Sequence, residues 1–318
     1  MERKTVALIS GGISSEREVS INSGNQVYEA LDKRKYAVIR YDPKTDLMAL
    51  VADASKIDVA LIILHGPYGE DGTIQGLLDL LHIPYQGSGV LGSAVAMNKL
   101  TSKQLYEKAG LSTPLYIAVD RNESIDFSRW IDELGLPLVV KPVNAGSSVG
   151  ISINRSRDTL ETAVESAFSH DTSIMVEQFI EGVELTGGVI GNDELEALPL
   201  IEIIPDATHA FFDYEAKYTA GVTQEICPAR IDAALAAIAQ QCCKTAHQAL
   251  FCRGYSRTDM ILKDETVYVL ETNTIPGMTQ TSLLPQAAAV GGIGFSELMD
   301  RLIQLGIEDR QRQGQHDH

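Results

Sequence analysis

Residues 5–12 read Thr-Val-Ala-Leu-Ile-Ser-Gly-Gly, an apolar run of strand type stopped by a glycine pair. A strand that is apolar throughout, rather than alternating, is covered on both faces, as in a parallel sheet flanked by helices. The residues that follow keep this pattern. Glu16–Leu31 carries Val19, Ile21, Val27, Ala30 and Leu31 on a helical face, Tyr36–Tyr41 and Ile57–Leu64 are two further strands, and Thr73–Leu81 predicts a short helix. Such alternation predicts an α/β protein opening with a Rossmann-like βαβ unit to about Gln86, and a first domain over residues 1–87.

Gly87-Ser88-Gly89 marks the next boundary. A helix is predicted over Leu91–Ala109, then a strand (Leu115–Val119), a helix (Ser128–Leu134) and a strand (Leu138–Lys141). A Gly/Ser loop (Asn144–Gly150), another strand, a helix (Asp158–Ser169) and a strand (Ile174–Glu177) complete a central α+β domain, 88–180. The third domain, 181–318, is strand-rich from Glu184 and interrupted by Pro205–Thr223, where no helical period is visible. It continues with an alanine-rich helix (Ile231–Leu250), a hairpin (Tyr255–Leu262 with Thr266–Glu271) and a closing helix (Phe295–Leu305). The polar tail Glu308–His318 is expected to be disordered.

Composition excludes several classes. The chain has 318 residues, 26 Lys and Arg against 43 Asp and Glu, and a formal charge of −17. Such a chain repels phosphate backbones and anionic lipid, so neither nucleic acid nor a membrane is an expected partner. The longest apolar run, Val59–Leu64, is too short to span a bilayer, and the start of the chain lacks the core of a signal peptide. Cys227, Cys242, Cys243 and Cys252 form no C-x-x-C pair and no zinc-type spacing with histidine. A soluble cytoplasmic protein with reduced thiols is expected.

Chemistry concentrates in the hairpin. Arg257 and Asp259 are two residues apart, as are Glu271 and Asn273, so each pair leaves one face of its strand. A three-residue loop, Asp264–Thr266, sets Asp259 opposite Glu271, and two carboxylates with an amide oxygen form a hard-oxygen site suited to Mg²⁺ and nucleotide phosphate. On spacing alone, the solvated face of an edge hairpin also accounts for these charges. Lys141-Pro-Val-Asn-Ala-Gly-Ser-Ser-Val-Gly150 suits anion binding by backbone N–H groups and a lysine, though it is not a Walker loop, and a bare turn between strands has the same composition. Glu177–Glu181 is an amide-rich strand end of a kind that reads purine rings or merely decorates a sheet edge. His65, closing the most buried strand, and the Gly11–Glu16 loop sit where open parallel sheets bind ligands.

Taken in order, these segments resemble the D-alanine–D-alanine ligases of the ATP-grasp superfamily. The resemblance is carried by Gly11-Gly-Ile-Ser-Ser-Glu-Arg-Glu-Val-Ser20, His65-Gly-Pro-Tyr-Gly-Glu-Asp-Gly72, Gly87-Ser-Gly89, Lys141-Pro and Gly146-Ser-Ser-Val-Gly150. It continues through Tyr214-Glu-Ala-Lys-Tyr218, Arg257-x-Asp259, Glu271-x-Asn273-Thr-x-Pro-Gly-Met278 and Ser282-Leu283, spanning about residues 5–305. The family implies an ATP-grasp fold in which two α+β domains sandwich ATP behind the Rossmann-like domain. It implies phosphorylation of a first D-alanine by ATP and attack by the amine of a second, giving the peptidoglycan precursor D-alanyl-D-alanine.

By position, the resemblance makes Lys99, Lys141 and Lys217 phosphate ligands, sets Glu177, Gln178, Phe179 and Ile180 along adenine, and Glu184 at the ribose. Asp259, Glu271 and Asn273 would hold two Mg²⁺ ions, for which Mn²⁺ can substitute. Glu16 would receive the ammonium of the first D-alanine with His65 nearby, and Glu16, Ser147 and Tyr218 would form a bonded set linking the domains. Arg257 and the Gly277 N–H would stabilise an oxyanion, while Ser282 and Leu283 orient the second substrate. Pro205–Thr223 would be a lid excluding water. Gln178 and Phe179 stand where many relatives carry Lys and Trp, which implies altered nucleotide affinity with unaltered chemistry. A homodimer is implied. Tyr218 favours the dipeptide over D-alanyl-D-lactate; D-serine as second substrate, or a non-catalytic nucleotide-binding module of the same fold, stay open.

Overall fold

The computed structural model describes residues 3–144, 146, 149–205 and 223–316, so Ser147, Lys217 and Tyr218, with most of the expected lid, lie outside the described residues. The first layer follows the periodicity. Strands β1 (Lys4–Ser10), β2 (Tyr36–Tyr41) and β3 (Val59–Ile63) form a parallel sheet in the order β2-β1-β3. Helix α1 (Arg17–Ala30) covers one face. On the other, α2 (Leu47–Ala52) and α3 (Thr73–Leu80) pack on Ile9, Ala60 and Ile62 through Leu50, Ile74 and Leu78.

The predicted helix Leu91–Ala109 is two helices, α4 (Val90–Met97) and α5 (Lys99–Lys108). Asn98 divides them: its backbone is extended, and its side-chain oxygen accepts the Thr101 N–H at 2.8 Å, an N-cap that starts a new helix. Both helices lean on the C-terminal sheet, with Tyr106, Val95 and Leu105 in the core that holds Val269.

The central sheet contains β4 (Tyr116–Asp120), β5 (Leu138–Pro142), β6 (Ser152–Asn154) and β7 (Ser173–Gln178), antiparallel in the order β4-β7-β5-β6. Helices α6 (Phe127–Leu134) and α7 (Leu160–His170) bury Trp130, Leu134, Leu160, Val164 and Phe168 against it. Strand β7 is therefore interior rather than an edge.

The C-terminal sheet has β8 (Val183–Gly191), β9 (Glu196–Ala197), β10 (Ile201–Pro205), β11 (Thr223–Ile226), β12 (Gly254–Lys263) and β13 (Thr266–Asn273), ordered β11-β10-β8-β12-β13 with β9 on β8. Helix α8 (Ala233–Ala249) packs on one face through Ala239, Cys243 and Ala246. Helices α9 (Leu283–Val290) and α10 (Phe295–His316) close the molecule. The tail read as disordered continues α10 to His316, because Asp309 pairs with Arg253 at 2.7 Å and Arg310 reaches the His82 ring at 2.6 Å. Helix α10 also merges two cores: Leu298, Met299, Leu302 and Ile303 share one apolar cluster with Val6, Leu8, Leu61 and Ile63. Among the described residues, no helix is long and apolar enough to cross a membrane.

One polar group inside this scaffold has a pH consequence. His247 of α8 is buried, with Nδ1 2.8 Å from Ser256 Oγ, and burial pulls its pKa down to about 4. In the unfolded chain it titrates near 6.5. Between these values the unfolded chain binds the extra proton, so this contribution to stability is complete above pH about 6.5 and is lost as pH falls toward 4. His247→Gln is expected to lower the melting temperature at pH 7 by several degrees and to make its fall between these pH values shallower, read by calorimetry across the range. An unchanged slope would contradict the assignment.

Candidate active site

The hairpin β12–β13 shows how the chain aims its acidic groups. Its loop has two residues, Asp264 and Glu265, both left-handed at φ 46° and 65°, with Lys263 paired to Thr266. This is the tight turn that suits the twist of a hairpin, one residue shorter than the sequence predicts. The pairing of Asp259 with Glu271 nevertheless holds, since the register shifts by one between Val269–Met260 and Glu271–Asp259, leaving Leu270 as a bulge.

The bulge also changes faces. Ser256, Thr258 and Met260 of β12 turn toward α8, as do Val267 and Val269 of β13. Strict alternation would send Glu271 and Asn273 the same way. After the bulge Thr272 takes the inner side instead, bonded to Thr258 Oγ1 at 3.0 Å and to the Tyr106 hydroxyl at 2.8 Å. Glu271 and Asn273 consequently line a cleft of about 430 Å³ with Glu16, His65, Lys99, Arg257, Gly277, Ser282 and Leu283.

Asp259 adjoins this cleft behind Arg257, whose Nε and terminal nitrogen donate to its two oxygens at 3.0 and 2.9 Å. Thr186, opposite on β8, donates its hydroxyl to the same carboxylate at 2.6 Å, and Glu184 stands two residues along the same face. Lys99 Nζ is 3.7 Å from Glu271 Oε2. From the first domain, Glu16 reaches the Gly66 turn so closely that a Cβ there would sit 2.9 Å from its Oε2. Gly66 has φ +71°, a left-handed backbone that favours glycine. The Ser282 hydroxyl accepts the Thr279 N–H at 3.1 Å beside Gly277.

Lys141 and Glu177 lie buried in the central sheet, 2.7 Å apart, and are not among the residues that line this cleft. The N–H groups of Gln178 and Phe179 are used by the Leu115 and Pro137 carbonyls at 2.9 and 3.1 Å, and Ile180 is buried.

A sequence family described as "D-ala D-ala ligase C-terminus" matches residues 105–304, and one described as "D-ala D-ala ligase N-terminus" matches residues 43–88. A curated relative named D-alanine–D-alanine ligase, from Syntrophobacter fumaroxidans, is 62% identical over 308 residues, covering 97% of this chain and 99% of its own. The chain belongs to the D-alanine–D-alanine ligase family. Among solved structures, the Bacillus anthracis D-alanine–D-alanine ligase complexed with ATP superposes with a TM-score of 0.86 at 37% identity, over 98% of this chain and 99% of that one. A D-Ala:D-Ser ligase from Enterococcus faecalis superposes with a TM-score of 0.84 at 34% identity, over 96% and 100%. The fold is therefore ATP-grasp, as the resemblance implies.

The donors present suit the Mg²⁺ expected of this family. Asp259 and Glu271 are directly opposed, Asn273 is on the same face, and each carboxylate already faces a cation of the chain, Arg257 or Lys99. Among the described residues no cluster of three His, Cys, Asp or Glu side chains forms, so an ion held by Asp259 and Glu271 would draw its other oxygens from Asn273, water and phosphate.

The cleft also contains groups the sequence reading passed over. Glu70 lies within the quoted His65–Gly72 segment and accepts the Gly66 N–H at 2.6 Å. Its burial, with the Glu16 carboxylate beside it, raises its pKa to about 8. Burial likewise lowers His65, against the pull of Glu16. Glu225 and Asn22 complete the wall, and nothing in their local sequence singles them out.

Deleting Leu270 would restore the regular ladder and turn Glu271 and Asn273 into the α8 core, where an unpaired carboxylate costs several kcal/mol. The deletion is expected to abolish ADP binding and lower the melting temperature by more than 10 °C, whereas Leu270→Ala, which keeps the bulge, retains binding. Calorimetric titration and melting of both variants decide it.

Proposed function

We propose that the chain joins two D-alanine molecules into D-alanyl-D-alanine, a peptidoglycan precursor, converting ATP to ADP and phosphate. The carrying observation is the convergence of Glu16 and His65 from the first domain with Lys99, Arg257, Glu271 and Asn273 on one cleft, in a chain 62% identical to a curated ligase of that name. In the first step a carboxylate oxygen of one D-alanine bonds to the γ-phosphorus as the bond to ADP breaks. In the second, the amine of another D-alanine attacks the acyl carbon, phosphate leaves, and the amine sheds a proton.

Neither step needs a covalent enzyme nucleophile, so the work falls to positioned charge. Glu16, beside the Gly66 turn, takes the ammonium of the first D-alanine near His65. Lys99, Lys141 and Lys217 hold the phosphates, Glu177–Ile180 flank adenine and Glu184 meets the ribose. Arg257 and the Gly277 N–H face the oxyanion, with two of the guanidinium N–H groups holding Asp259 and so orienting the rest. Ser282 and Leu283 orient the second amino acid, and Ser147 with Tyr218 completes the set around Glu16. Asp259, Glu271 and Asn273 would hold two Mg²⁺ or Mn²⁺ ions, which neutralise charge on the transferring phosphoryl group.

We assign residues 1–87, 88–180 and 181–318 to three domains, following the three sheets. The cytoplasm is the proposed site of action, and a homodimer the proposed state. The exposed side chains of Leu47, Met48 and Val51 on α2 support that state. Met48→Asp is expected to halve the mass seen by light scattering.

The test of the function is ADP release with ATP, Mg²⁺ and D-alanine, D-serine or D-lactate, with products weighed by mass spectrometry. Dipeptide from D-alanine alone is expected. Faster formation of the mixed product with D-serine would reassign the second substrate, and no turnover by folded protein would overturn the reading. Glu271→Ala is expected to cut turnover at least 100-fold, about 3 kcal/mol of barrier, while leaving the fold intact.

A further inference from the structure

Helix α5 presents two lysines one turn apart, and each grips a carboxylate of a different sheet. Lys99 faces Glu271 of the C-terminal hairpin, while Lys103 Nζ lies 2.9 Å from Glu177 Oε1 on β7 of the central sheet. The other oxygen of Glu177 is 2.7 Å from Lys141 Nζ. Lys103, Glu177 and Lys141 have side chains only 1%, 4% and 7% exposed, so three charges are held in line out of water.

The count of charge is informative. Lys141 with Glu177 alone is a neutral pair, with nothing left over for an anion. Adding Lys103 gives the row a net charge of +1, which an apolar interior disfavours unless an anion answers it. Lys103, like Lys141, is not among the residues that line the 430 Å³ cleft. Its ammonium faces Glu177, the Pro114 carbonyl at 3.4 Å and the Tyr116 ring at 5.3 Å, all groups of the chain itself.

We infer that Lys103 is a positioning residue of the nucleotide site: by occupying one oxygen of Glu177 it fixes that carboxylate and leaves Lys141 the surplus positive charge that meets a phosphate. The inference rests on the reading of Lys141 as a phosphate ligand. Protonation supports it. Burial would raise Glu177, but the two lysines outweigh burial and hold it below the usual carboxylate range. Burial lowers Lys103 to about 8, with Glu177 and Glu107 opposing and Lys141 adding to that shift. Glu177 and Lys103 are therefore both charged at neutral pH, and Lys103 loses its proton as pH rises through about 8.

The experiment is calorimetric titration of the full chain with ADP and Mg²⁺, at pH 7 and pH 9. Lys141→Met is expected to weaken binding about tenfold or more, and Lys103→Met by a similar factor, since each removes one unit of charge near the phosphates. Lys103→Met with Glu177→Gln restores the surplus charge and is expected to recover most of the loss, which a purely packing role for Lys103 would not. Lys103→Arg, which does not titrate in this range, is expected to bind normally at pH 7 and to lose less affinity than the wild type on going to pH 9. That comparison cancels the ionisation of Glu70 in the cleft, common to both proteins, and holds even if Lys103→Met fails to fold. Wild-type affinity in Lys103→Met, no recovery in the double variant, or equal pH dependence in Lys103→Arg would overturn the inference. Wild-type affinity in Lys141→Met would overturn the reading beneath it as well.

Discussion

Between Val269 and Glu271, strand β13 carries one residue more than the strand it pairs with, and the side of the sheet on which the acidic groups emerge depends on it. A strand has only two faces, so a single added residue moves everything beyond it to the opposite one. The inner face is already committed to α8 by Val267 and Val269, and Thr272 rejoins it through Thr258 and Tyr106. Those two hydroxyl contacts anchor the displaced register. With it anchored, Glu271 faces Asp259 and Lys99, Asn273 stands across from Arg257, and the hairpin becomes one wall of the cleft.

Charge is distributed against the character of the chain as a whole. A protein with a formal charge of −17 sets Lys99 and Arg257 in the cleft against Glu271 and Asp259, and buries Lys103 and Lys141 on the two oxygens of Glu177. The pairing keeps the cations and acids in place before any ligand arrives, which lowers the reorganisation that charge development in a reaction would otherwise demand. The surrounding acidity matters little at this range, because exposed charges more than about 10 Å away are screened by salt.

How far the sequence could be read depended on whether a feature is local. Buried strands alternating with helices declare a parallel layer, and the ordered motifs from Gly11 to Leu283 declare the family. The opposition of Asp259 and Glu271 was legible too, although through a loop one residue too long; a shorter turn and a bulge give the same sum. Asn98 was missed because an apolar period runs through it, and only its capping bond breaks the helix. Lys103 was illegible for a different reason: a lysine on a polar helix face reads as solvated until the sheet that covers it is known. The α10 extension likewise depends on Arg253 and His82, distant in the chain from the residues they hold.

The core shared by the first sheet and α10 bears on how the protein is made. Strands β1 and β3 leave the ribosome early, yet the side of them bearing Val6, Leu8, Leu61 and Ile63 is sealed in part by Leu298, Met299, Leu302 and Ile303. Helix α1 covers part of that surface through Val27 and Leu31, but the rest has no permanent cover until α10 is made, and at about 5–20 residues per second the wait lasts tens of seconds. The central sheet, with Trp130, Leu160 and Phe168 closing their own cluster, has no such delay. The nascent chain thus passes through a state in which the central sheet is closed while part of the first sheet still awaits α10.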